Sequence, residues 1–374
     1  MAEIAREGKA ARGTAPAQGG KAQGHGGRGA DAAPVLTVAM PAYNVEAFLA
    51  HGLSTFDDDR LDGSLEVLVV DDGSTDGTRA LAEGFVARRP GVFRVISQEN
   101  RGHGGAVNTA LSEARGRWFR IVDGDDWVDT DALAALISDL DALDTDLAAD
   151  VKTEVDEHTG ESRVFPLPAG VEPGRAVPFA DVSAEREAAV QLKIHTLIAR
   201  TDYLRGIGMR LLEHTFYEDM EYVIKATAPA SSIAFLDLPV YRYLVGRADQ
   251  SVSRSSYVRR WADHTRVADE LVRYLGEQEA HASAGEPGAL PAAALSYLRW
   301  RVELFVDTHY NIALLFDEDR RRGRHRAREF RAALRARDAG LWKRGEKRYR
   351  MALALNLLGL SYASIERLVA GRRR

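Results

Sequence analysis

Short apolar segments alternate with helical patterns over the first half of the chain, and this alternation restricts the fold more than any other feature. We predict strands at residues 35–40, 65–70, 93–97 and 118–122. Helical patterns follow the first three of them, at residues 46–53, 78–88 and 104–114. Because strands that alternate with helices build βαβ units, the sequence predicts an α/β protein whose mostly parallel sheet is covered by helices on both faces.

A polar loop follows each of these four strands, at the end of the strand where open α/β sheets bind their ligands. The loops read P-A-Y-N (residues 41–44), D-D-G-S-T-D (71–76), N-R-G-H-G-G (100–105) and D-G-D-D (123–126). The carboxyl ends of parallel strands meet at one edge of the sheet. We therefore predict that the four loops converge on a single binding rim.

Acidic residues crowd two of these loops: Asp123, Asp125 and Asp126 lie in one, and Asp71 and Asp72 lie in its neighbour. Carboxylates this close repel one another unless they are protonated or neutralised by a cation. Oxygen ligands select hard ions such as Mg²⁺ or Mn²⁺, which bridge carboxylates to phosphates. The alternative for the D-G-D-D loop is an Asp-rich turn that caps the next helix, and the second acidic pair favours the cation.

A further acidic group, Glu218, Asp219 and Glu221, stands at the start of a helix that we predict over residues 218–226. One interpretation is that these acids complement the helix dipole at its N-terminus. The other is that the fold brings a general base to the rim, where a carboxylate within hydrogen-bond reach can deprotonate an acceptor hydroxyl.

Four segments together resemble the family 2 glycosyltransferases of GT-A fold: V-A-M-P-A-Y-N (residues 38–44), V-D-D-G-S-T-D-G-T (70–78), N-R-G-H-G-G-A-V-N (100–108) and V-D-G-D-D (122–126). The resemblance covers residues 35–243. The combination is specific, although a D-x-D motif alone is not. The resemblance implies a Rossmann-like GT-A domain and a nucleotide-diphosphate-sugar donor, most commonly a uridine one. It also implies a divalent metal, Mn²⁺ or Mg²⁺, and inversion at the anomeric carbon by a single in-line displacement.

The resemblance further suggests roles for individual residues. The donor nucleotide would be bound by side chains from several loops: Pro41, Tyr43, Glu46, Asp71, Asp72, His103 and Asp123. Of these, His103 is a candidate because of its place in the Gly-rich loop, where it would contact a donor phosphate. By the same resemblance, Asp125 would ligate the metal and Asp219 would be the catalytic base.

Four more residues are candidates for contact with the diphosphate or the acceptor: Glu218, His195, Arg247 and Gln250. The last two belong to Y-R-Y-L-V-G-R-A-D-Q-S-V-S (residues 241–253), which resembles a stretch of soluble family members. The membrane-embedded synthases carry Q-x-x-R-W instead. For Arg247 and Gln250 the alternative is a loop that pairs with nearby acids, and for His195 it is a structural hydrogen bond.

Positive charge is concentrated at the end of the chain, where residues 320–374 hold 18 Lys and Arg against 4 Asp and Glu. We predict that residues 257–374 are mainly helical, with a linker near residues 277–291. The predicted helices lie at residues 292–316, 324–337 and 349–369. A basic block beside the apolar run 351–360 suits the anionic surface of a bilayer. The alternative is that this apolar face packs on the catalytic domain or in a dimer.

Composition restricts the remaining classes. The chain of 374 residues has no cysteine, which excludes disulfide scaffolds, thiolate zinc sites and cysteine nucleophiles. No apolar run reaches the roughly 18 residues of a spanning helix. We expect a disordered tail over residues 1–33 and a GT-A domain over residues 34–256. We also expect a cytoplasmic protein, either free or peripheral on the inner face of the cell membrane, with no nucleic-acid partner.

These features predict an inverting, metal-dependent glycosyltransferase of cell-envelope polysaccharide or glycoconjugate synthesis, with a saccharide or lipid-linked acceptor. A catalytically inactive sugar-nucleotide-binding protein and a sugar nucleotidyltransferase are the alternatives. The latter would carry a Gly-rich G-x-G-T-R loop at residues 41–44, which read P-A-Y-N. A nicotinamide dehydrogenase would need G-x-G-x-x-G at the first helix, and this motif is absent there.

Overall fold

A computed structural model describes residues 33–246 and 253–362, and within these residues ten strands form one mixed sheet. The strands are β1 (Leu36–Ala42), β2 (Leu65–Asp71), β3 (Phe93–Ser97), β4 (Trp118–Ile121), β5 (Trp127–Val128), β6 (Leu147–Asp156), β7 (Ser162–Phe165), β8 (Ala176–Pro178), β9 (Leu197–Arg200) and β10 (Ser232–Val245). Their order along the sheet is β3-β2-β1-β4-β9-β6-β10-β5, while β7 pairs with β6 and β8 with β10.

The first four strands are parallel, as the sequence predicts, so their carboxyl ends share one edge of the sheet. Beyond β4 the sheet becomes mixed, because β9 runs antiparallel to both β4 and β6. Strand β10 lies parallel to β6, and the short β5 pairs antiparallel with β10 beside the D-G-D-D loop. The acidic loop is therefore held between the end of β4 and the far end of β10.

Both faces of the sheet are buried, which explains why its strands read as nearly continuous apolar runs. Ala39 and Leu68 belong to the apolar cluster on one face. Their neighbours Val38 and Val67 belong to the cluster on the other face. The covering helices are α1 (Glu46–Ser54), α2 (Thr78–Arg88), α3 (Gly102–Glu113), α4 (Thr130–Ala142), α5 (Phe179–Ala184), α6 (Arg186–Ala189), α7 (Thr201–Gly206) and α8 (Glu218–Thr227).

The rest of the described chain is helical, as predicted. Its helices are α9 (Arg254–Arg259), α10 (Trp261–Ala284), α11 (Ala292–Asn311), a π-helical turn (Ile312–Phe316), α12 (Arg320–Arg337) and α13 (Ala339–Leu357). Helix α11 packs against the sheet domain. The Tyr297 hydroxyl lies 2.8 Å from the Thr227 hydroxyl, and the buried Arg301 guanidinium donates to the Ala189 carbonyl over 2.9 Å.

Many basic side chains of α12 and α13 face acids of the neighbouring helices. Arg337 pairs with Asp269 of α10, while Arg344 and Arg348 pair with Glu303 and Asp307 of α11. On α13, Leu341, Tyr349 and Ala352 are buried. These side chains pack within the protein, but in the apolar run 351–360 only Ala352 and Asn356 are buried. Both the bilayer contact and the packed apolar face therefore remain predictions for that run. Within the described residues, no helix has both the length and the apolar character needed to cross a bilayer.

Several predicted boundaries are wrong. Strand β6 was not predicted, because polar residues such as Lys152 and Glu154 interrupt its apolar pattern. The apolar pattern of residues 232–237 predicts a strand, and β10 continues eight residues past it, to Val245. Helix α10 runs through Ala284, so only residues 285–291 connect it to α11. Helix α13 begins at Ala339 rather than at residue 349. Residues 1–32 of the predicted tail and 363–369 of the last predicted helix lie outside the described residues.

Two histidines form a buried pair where α10 packs on α11. The Nδ1 atoms of His264 and His309 lie 3.0 Å apart, and Trp261 stacks on the His309 ring with centroids 3.8 Å apart. Burial lowers the pKa of His264 to about 3, and burial together with the charge of His264 lowers the pKa of His309 well below its usual range. Both rings are therefore neutral in the native protein near neutral pH.

We predict that this pair makes the protein acid-sensitive. An unfolded histidine binds a proton below about pH 6.5, whereas the buried pair does not, so the free energy of unfolding falls as pH falls below that value. Between pH 7 and pH 5 the loss is about 2 kcal/mol per histidine. Replacing both, as His264→Leu with His309→Leu, should flatten this dependence in urea unfolding. The exposed His281→Gln is the control and should keep the wild-type slope. A double variant with the wild-type slope would contradict the prediction.

Candidate active site

Asp72 joins two loops of the rim, D-D-G-S-T-D (residues 71–76) and N-R-G-H-G-G (100–105). This carboxylate is buried at the end of β2, and it accepts hydrogen bonds from Gln98 Nε2 over 2.6 Å and from the backbone N–H groups of Arg101 and Gly102, each over 2.8 Å. Its neighbour Asp71 is also buried and accepts from the Ser74 backbone N–H over 3.1 Å. Asp72 thus fixes the loop that precedes α3, and the donor contacts of both aspartates remain predictions.

The predicted nucleobase residues lie where β1 ends. Pro41 is buried within β1, whereas the Tyr43 side chain is half exposed (51%) beside the rim. Glu46 accepts the Gly77 backbone N–H over 2.8 Å and joins the start of α1 to the start of α2. A Cβ atom at Gly77 would lie 2.4 Å from the Glu46 carboxylate, so a larger residue there would displace this side chain. Contact of these residues with a nucleobase remains a prediction.

His103 connects two acidic segments that are far apart in the sequence. Its Nδ1 lies 2.7 Å from Glu218 Oε1, and its Nε2 lies 3.0 Å from Asp123 Oδ1. Burial alone would lower the pKa of His103, but hydrogen bonds and charge from the two carboxylates raise it well above its usual range. Burial would raise the pKa of Asp123, and the pairing with His103 lowers it instead. The ring is therefore an imidazolium held between two carboxylates.

Asp126 anchors the D-G-D-D loop to β10. The Tyr241 hydroxyl donates to one carboxylate oxygen over 2.7 Å, and the Leu244 backbone N–H donates to the other over 2.9 Å. Burial, followed by the charges of Asp123 and Asp125, raises the pKa of Asp126 well above its usual range. Negative charge is therefore in excess here. Sequence reasoning did not assign a role to Tyr241, which was quoted only as the first letter of a motif.

His195 stands beside the same acids. Burial lowers its pKa to about 4, so the ring is neutral near pH 7. Its Nε2 lies 3.9 Å from Asp123 Oδ2, and its ring packs against those of Tyr241 and Tyr243 at centroid distances of 5.0 and 4.6 Å. The backbone carbonyl of His195 accepts from the buried Arg120 of β4 over 2.9 Å. Arg120 was not singled out in the sequence, although a lone charge in the run W-F-R-I was a signal.

Among the described residues, Asp123, Asp126 and His195 form a group that could hold a metal ion, because each offers a ligand atom and these atoms lie within 4.8 Å of one another. Two carboxylates and a neutral imidazole can bind a divalent ion such as Mn²⁺. Such an ion would offset the charges of Asp123 and Asp125, which together with burial raise the pKa of Asp126. Asp125, the predicted ligand, is half-buried in the same loop but is not part of this group. Its role remains a prediction.

Asp219 lies in the first turn of α8, next to the Glu218 that His103 holds. Burial, followed by the charge of Glu218, raises the pKa of Asp219 to about 6. The preceding Tyr217 has a left-handed backbone with φ of 73°, which turns the chain sharply into the helix. Just before it, the ring of Phe216 is half exposed (46%) and lies under the guanidinium of Arg260 at 3.4 Å. A half-buried carboxylate with this pKa can accept a proton near neutral pH.

Some sequence candidates are not part of this arrangement. Arg247 and Gln250 lie outside the described residues, so their predicted contacts with the diphosphate or acceptor remain untested. His214 has a backbone role, because its N–H donates to the Arg101 carbonyl over 2.7 Å and its carbonyl accepts from Arg266 over 3.0 Å.

Comparison with known proteins agrees with this geometry. Residues 37–177 match the model of the family described as glycosyl transferase family 2. The uncharacterized glycosyltransferase EpsJ of Bacillus subtilis (strain 168) is 27% identical over 215 residues, which are 56% of this chain and 61% of EpsJ. The succinoglycan biosynthesis protein ExoO of Rhizobium meliloti (strain 1021) is 36% identical over 128 residues, 32% of this chain and 34% of ExoO. The chain thus spans about three fifths of EpsJ.

A solved structure extends the likeness in fold to the helical region. S. aureus TarS (residues 1–349, in complex with UDP-GlcNAc) aligns over 87% of this chain and 93% of its own, with a TM-score of 0.60 and 20% identity. The family match includes the loops of Asp72, His103 and Asp123 but ends before His195 and Asp219. The motifs, the sheet and the matching family model therefore agree: residues 37–177 form a glycosyl transferase family 2 segment, and the chain has a GT-A fold.

Proposed function

We propose that this chain is an inverting glycosyltransferase that moves a sugar from a nucleotide-diphosphate donor to a hydroxyl group of an acceptor. The observation that carries the proposal is one chain of contacts. It runs from the group that could hold a metal, through Asp123, His103 and Glu218, to the neighbouring Asp219. A cation group and a carboxylate with a pKa of about 6 therefore lie at the same rim. Together they could stabilise a leaving diphosphate and deprotonate an acceptor hydroxyl.

In the proposed reaction, Asp219 removes the proton from the acceptor hydroxyl while that oxygen attacks the anomeric carbon and the nucleoside diphosphate leaves from the opposite face. A divalent ion held by Asp123, Asp126 and His195 would supply positive charge to the leaving diphosphate. The charge of Glu218 raises the pKa of Asp219 and so makes it a stronger base. His103 keeps Glu218 beside Asp219 and joins the base to the donor side of the rim.

The donor and acceptor are proposed from similar proteins. S. aureus TarS was solved with UDP-GlcNAc and with UDP, so a uridine diphosphate sugar is the first donor to test. ExoO is named for the biosynthesis of succinoglycan, a polysaccharide. We propose that the acceptor here is a saccharide or a lipid-linked saccharide of the cell envelope and that the enzyme works in the cytoplasm or at the inner face of the membrane. An inactive sugar-nucleotide-binding protein is the rival function.

A membrane surface is a further proposed partner. On α13, the basic residues Lys343 and Lys347 are exposed, and the same helix ends in exposed apolar side chains. Met351 is 48% exposed, Leu357 66% and Leu358 75%. Basic and apolar side chains in sequence along a helix suit the interface of an anionic bilayer. We propose that the end of α13 contacts such a bilayer, while the buried face of the helix stays packed in the protein.

Asp219→Asn should abolish sugar transfer while it preserves donor binding. An amide cannot accept the proton, so we expect kcat to fall roughly 10²- to 10⁴-fold. In the wild type, kcat should fall as pH drops below about 6, because the carboxylate becomes protonated. Activity is measured with UDP sugars, and donor affinity by calorimetry.

The matched control is Asp139→Asn on α4, an aspartate away from the rim whose pKa burial also raises. It should leave kcat and its pH dependence unchanged. Unchanged turnover in Asp219→Asn would refute the assignment of the base. Donor binding by the wild type without any transfer across a panel of acceptors would favour the inactive binding protein.

The membrane contact predicts a loss of vesicle binding when the end of α13 is made polar. Replacing Leu357 and Leu358 by serine should weaken flotation with phosphatidylglycerol vesicles by roughly tenfold per leucine, because each side chain loses its transfer into the apolar layer. Val164→Ser is the control, since Val164 is also exposed (47%) but lies on β7. Equal flotation of the double variant and the wild type would contradict the contact.

A further inference from the structure

A cavity of about 510 Å³ lies between α9, the π-helical turn and the start of α12. Four arginines line it, together with Glu318 and apolar or aromatic side chains that include Phe316 and Tyr362. The arginines are Arg254, Arg259, Arg322 and Arg326. We call this site the arginine cavity. None of these residues belongs to the candidate active site.

The carboxylate behind the cavity does not balance this charge. Asp317 is fully buried and is shared by two guanidinium groups, with contacts of 2.7 Å from Arg322 and 3.3 Å from Arg326. Burial lowers the pKa of Arg326, and the nearby charge of Arg322 lowers it further against the effect of Asp317. Two cations therefore compete for a single anion on this wall of the cavity.

The opposite wall adds more positive charge. Arg259 is exposed and donates to the Ser256 hydroxyl over 2.9 Å, and no ion pair joins it to a carboxylate among residues 33–246 and 253–362. Arg254 lies over the ring of Tyr362, 4.8 Å from its centroid. Even without Arg254, the three arginines Arg259, Arg322 and Arg326 outnumber the two acids, Glu318 and Asp317, among the described residues of these walls.

The cavity also lies close to the proposed base. Tyr257 of α9 stacks face to face on Tyr217, with centroids 4.6 Å apart, and Tyr217 immediately precedes α8 with its Glu218 and Asp219. On its other side Tyr257 packs near Phe316, a lining residue, at 6.3 Å between centroids. Aromatic rings therefore connect the arginine cavity to the segment that holds the proposed base.

We propose that the arginine cavity binds a phosphate group of the acceptor. The inference rests on the proposed function, since it assigns the acceptor its chemical class. Planar guanidinium groups donate paired hydrogen bonds to phosphate oxygens, and the apolar walls accommodate the carbon chain beside the phosphate. The phosphate is either the terminal diphosphate of a carrier or an internal phosphodiester of a polymer, because both present the same anionic oxygens.

Arg259→Gln and the double variant Arg259→Gln with Arg322→Gln test the site. Both should fold, because Arg259 is exposed and Arg326 remains paired with Asp317. Binding of inorganic pyrophosphate is measured by calorimetry on the full chain. We expect roughly a tenfold loss of affinity for the first substitution and a further loss for the second, since a hydrogen bond to a charged group is worth at least a factor of ten.

The matched controls are Arg321→Gln and Arg321→Gln with Arg328→Gln, which remove the same charges from exposed positions of α12 outside the cavity. They should bind pyrophosphate like the wild type. Pyrophosphate that binds in the donor site adds the same signal to the Arg259 variants and to the Arg321 controls. The difference in affinity between these two series therefore reports binding in the arginine cavity. Equal affinities in the two series, whether both unchanged or both reduced, would overturn the proposal.

A second probe, the soluble phosphodiester glycerophosphoglycerol, distinguishes the source of the phosphate. Weaker binding of this probe in the Arg259 series supports an internal phosphodiester, and an effect confined to pyrophosphate supports a terminal diphosphate. These measurements need no turnover. If the protein transfers no sugar but its cavity binds phosphate, only the proposed function is refuted. If the enzyme is active and the Arg259 variants bind phosphate as tightly as the wild type, only this inference is refuted.

Discussion

Repulsion among carboxylates at one edge of the sheet is the constraint on which the site depends. Asp123, Asp125 and Asp126 follow β4, and Glu218 and Asp219 lie in the first turn of α8. The imidazolium of His103 lies between two of these carboxylates. Burial, and after it the charge of neighbouring carboxylates, raises the pKa of Asp126 and of Asp219. A divalent ion and a proton taken from an acceptor are two ways to relieve this repulsion.

The sequence predicted the first half of the fold because that half obeys a simple rule. Three of the four parallel strands, β1, β2 and β4, are buried along their whole length and read as apolar runs. Two of the following helices, α1 and α2, begin at their predicted residues. Strand β6 was not predicted, because its second half alternates polar and apolar residues. The supposed linker was assigned from its Ala, Gly and Glu content, yet Ala and Glu are good helix formers, and α10 continues through them.

For the site, the sequence predicted which segments meet but not which side chains bind one another. Motif spacing brought Asp123 and His103 to one rim, and the structure confirms that they are in contact. No local pattern reveals that His103 also binds Glu218, which lies 115 residues away. The sequence also does not show that both carboxylate oxygens of Asp72 bind backbone N–H groups of a loop. In a sequence, such a carboxylate cannot be distinguished from one that binds a ligand.

The binding of Mn²⁺ by the full chain, followed by electron paramagnetic resonance with and without UDP, tests the central claim most directly. If the acids of the rim hold a cation that contacts the diphosphate, each ligand must increase the affinity for the other by the same factor. We expect UDP to tighten Mn²⁺ binding at least about tenfold, which corresponds to a coupling of about 1.4 kcal/mol. Mn²⁺ binding that is independent of UDP would contradict the account.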